Sequence, residues 1–320
     1  MKKILSLLLF AGLVNNSFAT DFEQIQFEST TRVGIVNLES PNEYSDNYIA
    51  YATDGRIYEI SADSKEIIVK AKMALEDQVE VEINIGENTE SEDITGFRTE
   101  IYHIELTNFE LESSVEINST NRIKDNSLLS RSKINNMLLN SYITNLSSSY
   151  DADNIFREQR TDTRQKSQCY NRAHVWSWEM SRQNYNGRSI QPGKIWVFFT
   201  QRYIRNYRYK WWFHISPYLN VNNELVVMDK SFTSSPISER AWTNRFVRSE
   251  AACPVVAKYT DYRNNQYAND CYVIKTSAFY WQPWHIENVE KNGTIRSGWN
   301  EATLRQAYKD AIGRRASILR

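Results

Sequence analysis

Cys169 stands in the stretch Ser167-Gln-Cys-Tyr-Asn-Arg-Ala-His-Val-Trp176, with Gln168 before it and an arginine, a histidine and a tryptophan just after. A thiol so placed can be a buried core group, half of a disulfide, a metal ligand or a nucleophile. The chain has only three cysteines. Cys253 and Cys271 lie 18 residues apart in one turn-rich stretch, and a bridge between them would stabilise by roughly 3 kcal/mol through the unfolded chain. Cys169 is then left unpaired at a helix start, where the helix dipole and free N–H groups favour a thiolate. A metal site is disfavoured, since no CxxC or HxxxH spacing occurs and the chain has four histidines. No metal and no cofactor are expected.

A thiol nucleophile needs a base in hydrogen-bond reach and a third group to orient that base. His174, His214 and His285 are the candidates. His174 is five residues on in the same helix, about 140° around its axis, which suits packing better than proton transfer. His214 lies in Trp-Trp-Phe-His-Ile-Ser-Pro-Tyr-Leu-Asn-Val (211–221), where alternation places Trp212, His214 and Ser216 on one face. After Asn222-Asn-Glu224, the run Leu-Val-Val-Met-Asp-Lys-Ser-Phe (225–232) returns as an antiparallel neighbour with Asp229 near its end. That hairpin would set a carboxylate beside the His214 ring; a merely structural strand histidine is the plainer alternative. Tyr170, Trp176, Trp211 and Trp212 are candidate walls of a slot for a flat amide chain, or equally core aromatics. Arg172 reads as a structural helix residue paired with a carboxylate, and His103, in an alternating strand, as structural.

Several elements must position these groups. The N-terminal 19 residues have two lysines, an apolar run Ile4–Val14 and a small-residue site ending at Ala19, the layout of a cleaved secretory signal peptide. A secreted or periplasmic protein is expected, with no membrane span in the mature chain. Residues 20–150 hold 24 acidic and 10 basic side chains, a net of −14, whereas residues 151–320 hold 15 and 26, a net of +11. All nine tryptophans and all three cysteines lie in the second half. Two domains of opposite charge follow: an acidic α+β domain over 20–117, a connector over 118–165, and a basic domain over 166–320.

In the acidic half, Arg32–Leu38, Tyr48–Ala52, Val79–Ile85 and Phe97–Leu111 alternate like strands, and Asp63–Leu75 has helical spacing. Asp54-Gly55 suits a hairpin turn that needs positive φ. The connector carries a helix candidate at Ile134–Leu146 and protease-accessible basic positions at Arg122, Lys124, Arg131, Lys133, Arg157, Arg160 and Arg164. The basic half reads as a helix over Cys169–Tyr185, then strands at Lys194–Thr200, Trp211–Val221 and Glu224–Asp229. A helix at Ser238–Val247, strands near Val255–Tyr259 and Tyr272–Tyr280, and a capped helix at Asn300–Ile312 complete an α+β domain with an antiparallel sheet.

The combination Cys169-Tyr-Asn-Arg-Ala-His174, 211–221 and Val-Val-Met-Asp-Lys-Ser-Phe (226–232), followed by Pro-Ile-Ser-Glu-Arg-Ala-Trp (236–242), resembles the bacterial protein-glutaminase (protein-glutamine deamidase) family. The resemblance covers about residues 167–250. It implies a papain/transglutaminase-like catalytic domain in which a cysteine-bearing helix packs on a sheet bearing histidine and aspartate. Cys169 would be the nucleophile, His214 the general base and acid, and Asp229 its orienting partner, acting on exposed Gln side chains of proteins or peptides. It also implies an N-terminal pro-region that blocks the site in cis until proteolysis. Lys230 stands where a proline would be expected. A cysteine peptidase or transglutaminase with the same triad, and a non-enzymatic secreted binding module, are the rival readings. Nucleic acid is not an expected partner, because no recognised binding motif accompanies the basic charge.

Overall fold

The computed structural model describes residues 27–86, 98–110, 142–163, 168–247, 253–255, 270–283, 285–286 and 298–313. The signal peptide expected over residues 1–19 lies outside them, as do Arg122, Lys124, Arg131, Lys133 and Arg164 of the connector. No helix among the described residues is long and apolar enough to cross a membrane. The fold is mixed α+β, built on a small barrel and an open sheet.

The barrel is made from β1 (Phe27–Glu39), β2 (Tyr48–Ala52), β3 (Ile57–Ile60), β4 (Val79–Gly86) and β5 (Thr99–Glu110), closed in the order β1-β2-β3-β5-β4, with helix α1 (Lys65–Asp77) against it. Alternation sends Ala50, Ala52, Tyr58 and Ile60 into its interior with Val33, Ile35, Val81, Ile83, Ile101 and Ile104. Their neighbours Ile49, Tyr51 and Ile57 face the other way. With Val36 they are buried in the core of the second unit. Val36 lies on that outer face by simple alternation from Ile35. Strand β2 is therefore covered on both faces, which its unbroken run Tyr-Ile-Ala-Tyr-Ala reflects. The β2–β3 hairpin turns at Gly55, whose φ of +89° suits glycine.

The second unit is a sheet ordered β12-β11-β10-β9-β13, made from β9 (Gly193–Phe199), β10 (Phe213–Val221), β11 (Glu224–Val227), β12 (Ile237–Ser238) and β13 (Cys271–Ser277). These strands pair antiparallel, while the short β6 (Asn145–Leu146) adds to β10 in parallel. The minor hairpin β7 (Asn184–Tyr185) and β8 (Arg188–Ser189) stands apart. The helices are α2 (Ser149–Glu158), α3 (Cys169–Ser181), α4 (Gln201–Tyr207), α5 (Glu239–Thr243) and α6 (Glu301–Ile312). Helix α3 lies on β10 and β9 and packs against α6. All seven residues of β9 are buried, as expected of a strand with neighbours on both edges and helices on its face.

Three local readings change. The end of the helix candidate Ile134–Leu146 is strand β6, because Asn145 and Leu146 pair with Asn220 and Val221. Residues 142–162, placed in the connector by sequence, carry β6 and α2, and Leu146, Ala152, Ile155 and Phe156 share a core with Leu219 and Met228. Arg157 and Arg160 are correspondingly engaged: Arg157 Nε donates to the Asp153 carbonyl, and Arg160 bonds Asp162 and Glu179. Of the strand expected over Val255–Tyr259, only Val255 is described, in an isolated bridge to Val273. Helix α4, unread in the sequence, starts where the Thr200 hydroxyl accepts from the Tyr203 N–H.

Candidate active site

Cys169 opens α3 because Gln168 before it is extended (φ −61°, ψ 145°), so the thiol sits in the first helical turn. The helix is buried on nearly every side from Cys169 to Ser177. Cys169 is free, and 1% exposed. The other two cysteines form the expected Cys253–Cys271 disulfide, which ties β13 to the segment beside it.

Strand β10 delivers His214 at its second residue, flanked by Val197 of β9. The tight turn at Asn222 and Asn223, both at positive φ, returns the chain as β11 in the register Tyr218↔Val227. Met228 N–H still bonds the Pro217 carbonyl, so Asp229 arrives diagonally across from His214 on the same face. His214 Nε2 lies 2.7 Å from Asp229 Oδ2, which leaves Nδ1 as the ring nitrogen for another partner. The Cys169 side chain lies close enough to the imidazole to act on its pKa. Burial by itself would lower the His214 pKa, but the Asp229 charge, its hydrogen bond and the Cys169 sulfur outweigh it and raise the value to about 9. Asp229 is also fully buried, which alone would push its pKa up. His214, the Trp242 indole N–H and the Ser231 amide together hold it below the usual carboxylate range.

Sequence reasoning assigned no role to this supporting shell. Trp242 Nε1 donates to Asp229 Oδ2 at 2.7 Å, and Ser231 N–H to Oδ1 at 3.1 Å. Phe232, Trp242 and Phe246 box the imidazole, with ring centroids at 4.9, 5.7 and 4.8 Å. The only available signal was that Trp242 ends the stretch 236–242. Arg172 donates from Nε to Ser231 Oγ at 3.0 Å, bracing the turn that orients Asp229. Lys230, found in place of a proline, reaches the carbonyls of Phe156, Arg157 and Gln159. It thereby satisfies free acceptors at the C-terminal end of α2.

The four candidate wall aromatics separate. Tyr170 follows Cys169 in α3, while Trp211 and Trp212 precede β10 at the contact with the barrel. Tyr170 meets the Trp281 ring edge-on at 5.7 Å, and the nearby Asp54 charge helps burial raise its phenol well above the ordinary range. Trp212 donates from its indole to the Ala52 carbonyl at 2.7 Å. Trp211 lies under Arg56 at 5.9 Å. Trp176 is two turns further along α3, roughly 10 Å on at 1.5 Å per residue. It packs in the smaller core with Met180 and Leu219. His174 packs on the far side of the helix from the thiol: Nδ1 lies 2.7 Å from Lys194 Nζ, and Nε2 is 3.3 Å from Thr303 Oγ1. His285 Nδ1 accepts from the Trp281 N–H at 3.3 Å, and His103 pairs with Glu105. Among the described residues no group of three or more His, Cys, Asp or Glu is arranged to hold a metal.

The β2–β3 turn packs on Lys210–Trp212, the segment just before His214. Ile57 N–H donates to the Lys210 carbonyl at 2.7 Å, Trp212 N–H donates to the Gly55 carbonyl at 2.9 Å, and Arg56 bridges Trp211 in antiparallel sense. Asp54 is buried, accepting from Tyr58 OH at 2.6 Å and from the Arg56 N–H at 3.0 Å, and burial raises its carboxyl pKa. Nearby, Arg205 pairs with Glu39 at 3.1 Å.

Residues 143–246 match the model of a family described as glutaminase. No curated protein matches the chain. Among solved structures, a pro-protein-glutaminase is 16% identical, with 90% of this chain and 92% of that one covered and a TM-score of 0.45. An A47Q2 mutant of pro-protein-glutaminase is 14% identical over 88% of this chain and 98% of that one, also at 0.45. The protein-glutaminase of Chryseobacterium proteolyticum is 14% identical over 55% of this chain and 91% of that one, at 0.31.

Proposed function

We propose that this chain, which through residues 143–246 belongs to the glutaminase family, is an exported protein-glutamine deamidase made as a latent precursor. The observation that carries the reading is a free thiol at a helix start beside an imidazole that a buried carboxylate holds at 2.7 Å. The catalytic unit is papain/transglutaminase-like in arrangement, with helix α3 bearing the nucleophile and β10–β11 bearing its partners.

His214 Nδ1 takes the Cys169 proton, and the thiolate attacks the side-chain carboxamide carbon of a substrate glutamine. The oxyanion is met by backbone N–H groups of the first turn of α3. Imidazolium at His214 gives its proton to the departing ammonia, leaving a thioester. Water, deprotonated by the same ring, then hydrolyses the thioester to glutamate and restores the thiol. Asp229 keeps Nε2 protonated and Nδ1 directed at the sulfur.

Tyr170, Trp211 and Trp212 wall the substrate's path, and the barrel's turn occupies that path in the intact chain. Substrates are proteins or peptides with exposed glutamine. A cut in the connector, N-terminal to β6 and around Arg122–Lys133, would free the site; Arg157 and Arg160 lie within packed structure and are excluded as cut points.

The test is ammonia release from a short Gln peptide by the chain nicked in its connector. Cys169→Ala and His214→Ala should abolish it, and Asp229→Asn should lower it strongly with some activity left. Full activity in a folded Cys169→Ala protein would sink the proposal. Peptide cleavage would identify a peptidase, and amine incorporation a transglutaminase.

A further inference from the structure

The barrel's seat is itself informative about what replaces it. Between α4 and His214 the chain reads Gln-Arg-Tyr-Ile-Arg-Asn-Tyr-Arg-Tyr-Lys-Trp-Trp (201–212), with Arg202, Arg205, Arg208 and Lys210 and no acidic residue. Arg208 closes α4 in the left-handed conformation (φ 49°, ψ 49°), and Lys210–Trp212 then leads into β10, with Trp211 bridged to Arg56. That segment offers one backbone acceptor, the Lys210 carbonyl, and one donor, the Trp212 N–H. In the intact chain Ile57 N–H and Gly55 carbonyl satisfy them. The rim beside it carries Arg205, whose guanidinium pairs with Glu39 and lies 5.0 Å over the Tyr44 ring. The barrel thus holds the seat with its backbone and an acidic flank, in a chain whose residues 20–150 carry a net of −14 and residues 151–320 a net of +11.

We infer that the substrate takes the same two contacts: an extended, acidic segment that pairs antiparallel with Lys210–Trp212 and presents its glutamine two residues from His214. This rests on the deamidase reading above. The backbone pair fixes register without reading sequence, while Arg205 and the neighbouring cations supply the selection. Because exposed charge pairs are individually weak and screened by salt, the preference is a moderate, salt-sensitive one rather than an absolute rule.

The experiment uses the full chain nicked in its connector and three Gln peptides whose flanking residues are Glu, Ser or Lys, followed by ammonia release. At low salt, kcat/KM should be about tenfold higher for the Glu-flanked than for the Lys-flanked peptide, and the ratio should shrink at high salt. Arg205→Ala should reduce the ratio about threefold, chiefly through a higher KM for the Glu-flanked peptide. A fourth peptide, N-methylated at the backbone position that would donate to Lys210, should show a KM about tenfold higher with kcat little altered. Equal kcat/KM across the three charges, or no response to N-methylation, would overturn the inference. Absence of ammonia from every peptide would strike the deamidase reading instead, so the two failures are distinct.

Discussion

Ile57→Ala tests whether the barrel silences the site. Ile57 is 1% exposed, and its side chain lies with the second unit's core rather than in the barrel interior. Truncating a buried isoleucine costs about 2–5 kcal/mol. Because the barrel core keeps Ala50, Ala52, Tyr58 and Ile60, the loss falls mainly on docking. Taking the low end, about 2 kcal/mol raises the undocked population about thirtyfold at 1.36 kcal/mol per decade. A tethered module meets its seat at an effective concentration near millimolar, so the wild-type chain stays closed and the variant leaks. The assay compares ammonia release from a Gln peptide by intact wild-type and intact Ile57→Ala protein, then again after nicking. The variant should be tens of times faster before nicking and equal after. A folded variant whose intact rate matches wild type, or a wild-type chain equally active before and after nicking, refutes docking as the block.

Trp242→Phe keeps the ring against His214 and removes the N–H that reaches Asp229. Hydrogen bonds to charged groups contribute about 1.5–3 kcal/mol, so kcat should fall about tenfold and the acid limb of the rate profile should move to higher pH; an unchanged rate and limb would show that this bond is idle. The His214 proton is bound more tightly in the folded than in the unfolded chain, with a pKa of about 9 against 6.5. Its stabilisation is therefore complete below about pH 6.5 and lost as pH rises through about 9. Asp229, shifted downward, acts in the opposite sense and stabilises above its ordinary range, with loss on acidification. Melting temperature should decline from pH 6.5 to 9.5, and His214→Ala should lack that decline. Thiol titration of the unfolded, unreduced chain should find one reactive cysteine, Cys169; three would contradict the Cys253–Cys271 bridge.

The sequence was most legible where one physical rule acts locally. Alternation suggested a hairpin that could bring Asp229 beside His214, but its register depends on a two-residue turn at Asn222 and Asn223, with Glu224 already paired in β11. Asp54-Gly55 announced its hairpin through the need for positive φ. The supporting shell was not legible, because Phe232, Trp242 and Phe246 converge on the imidazole from separate segments after the chain has folded. Trp176 went astray for a related reason: composition marks an aromatic as useful without saying which end of a helix it occupies. Strand β6 was hidden because two residues are too few for any periodicity, and its identity comes from a parallel partner 75 residues away. Lys230 made sense only once the end of α2 lay beneath its ammonium.

The sharing of one apolar core between barrel and open sheet would make the proposed maturation directional. Val36, Ile49, Tyr51 and Ile57 are dry while the barrel is seated, and each would meet water when it leaves. Once the connector is cut, the high local concentration that returned the barrel to its seat is gone. The released body then carries an oily patch on a strongly anionic shell, a surface prone to capture by other proteins or to digestion. Either fate removes it from the return equilibrium. If the barrel is the proposed block, the commitment would be made at the cut, and the protein would behave as a single-use fuse rather than a reversible switch.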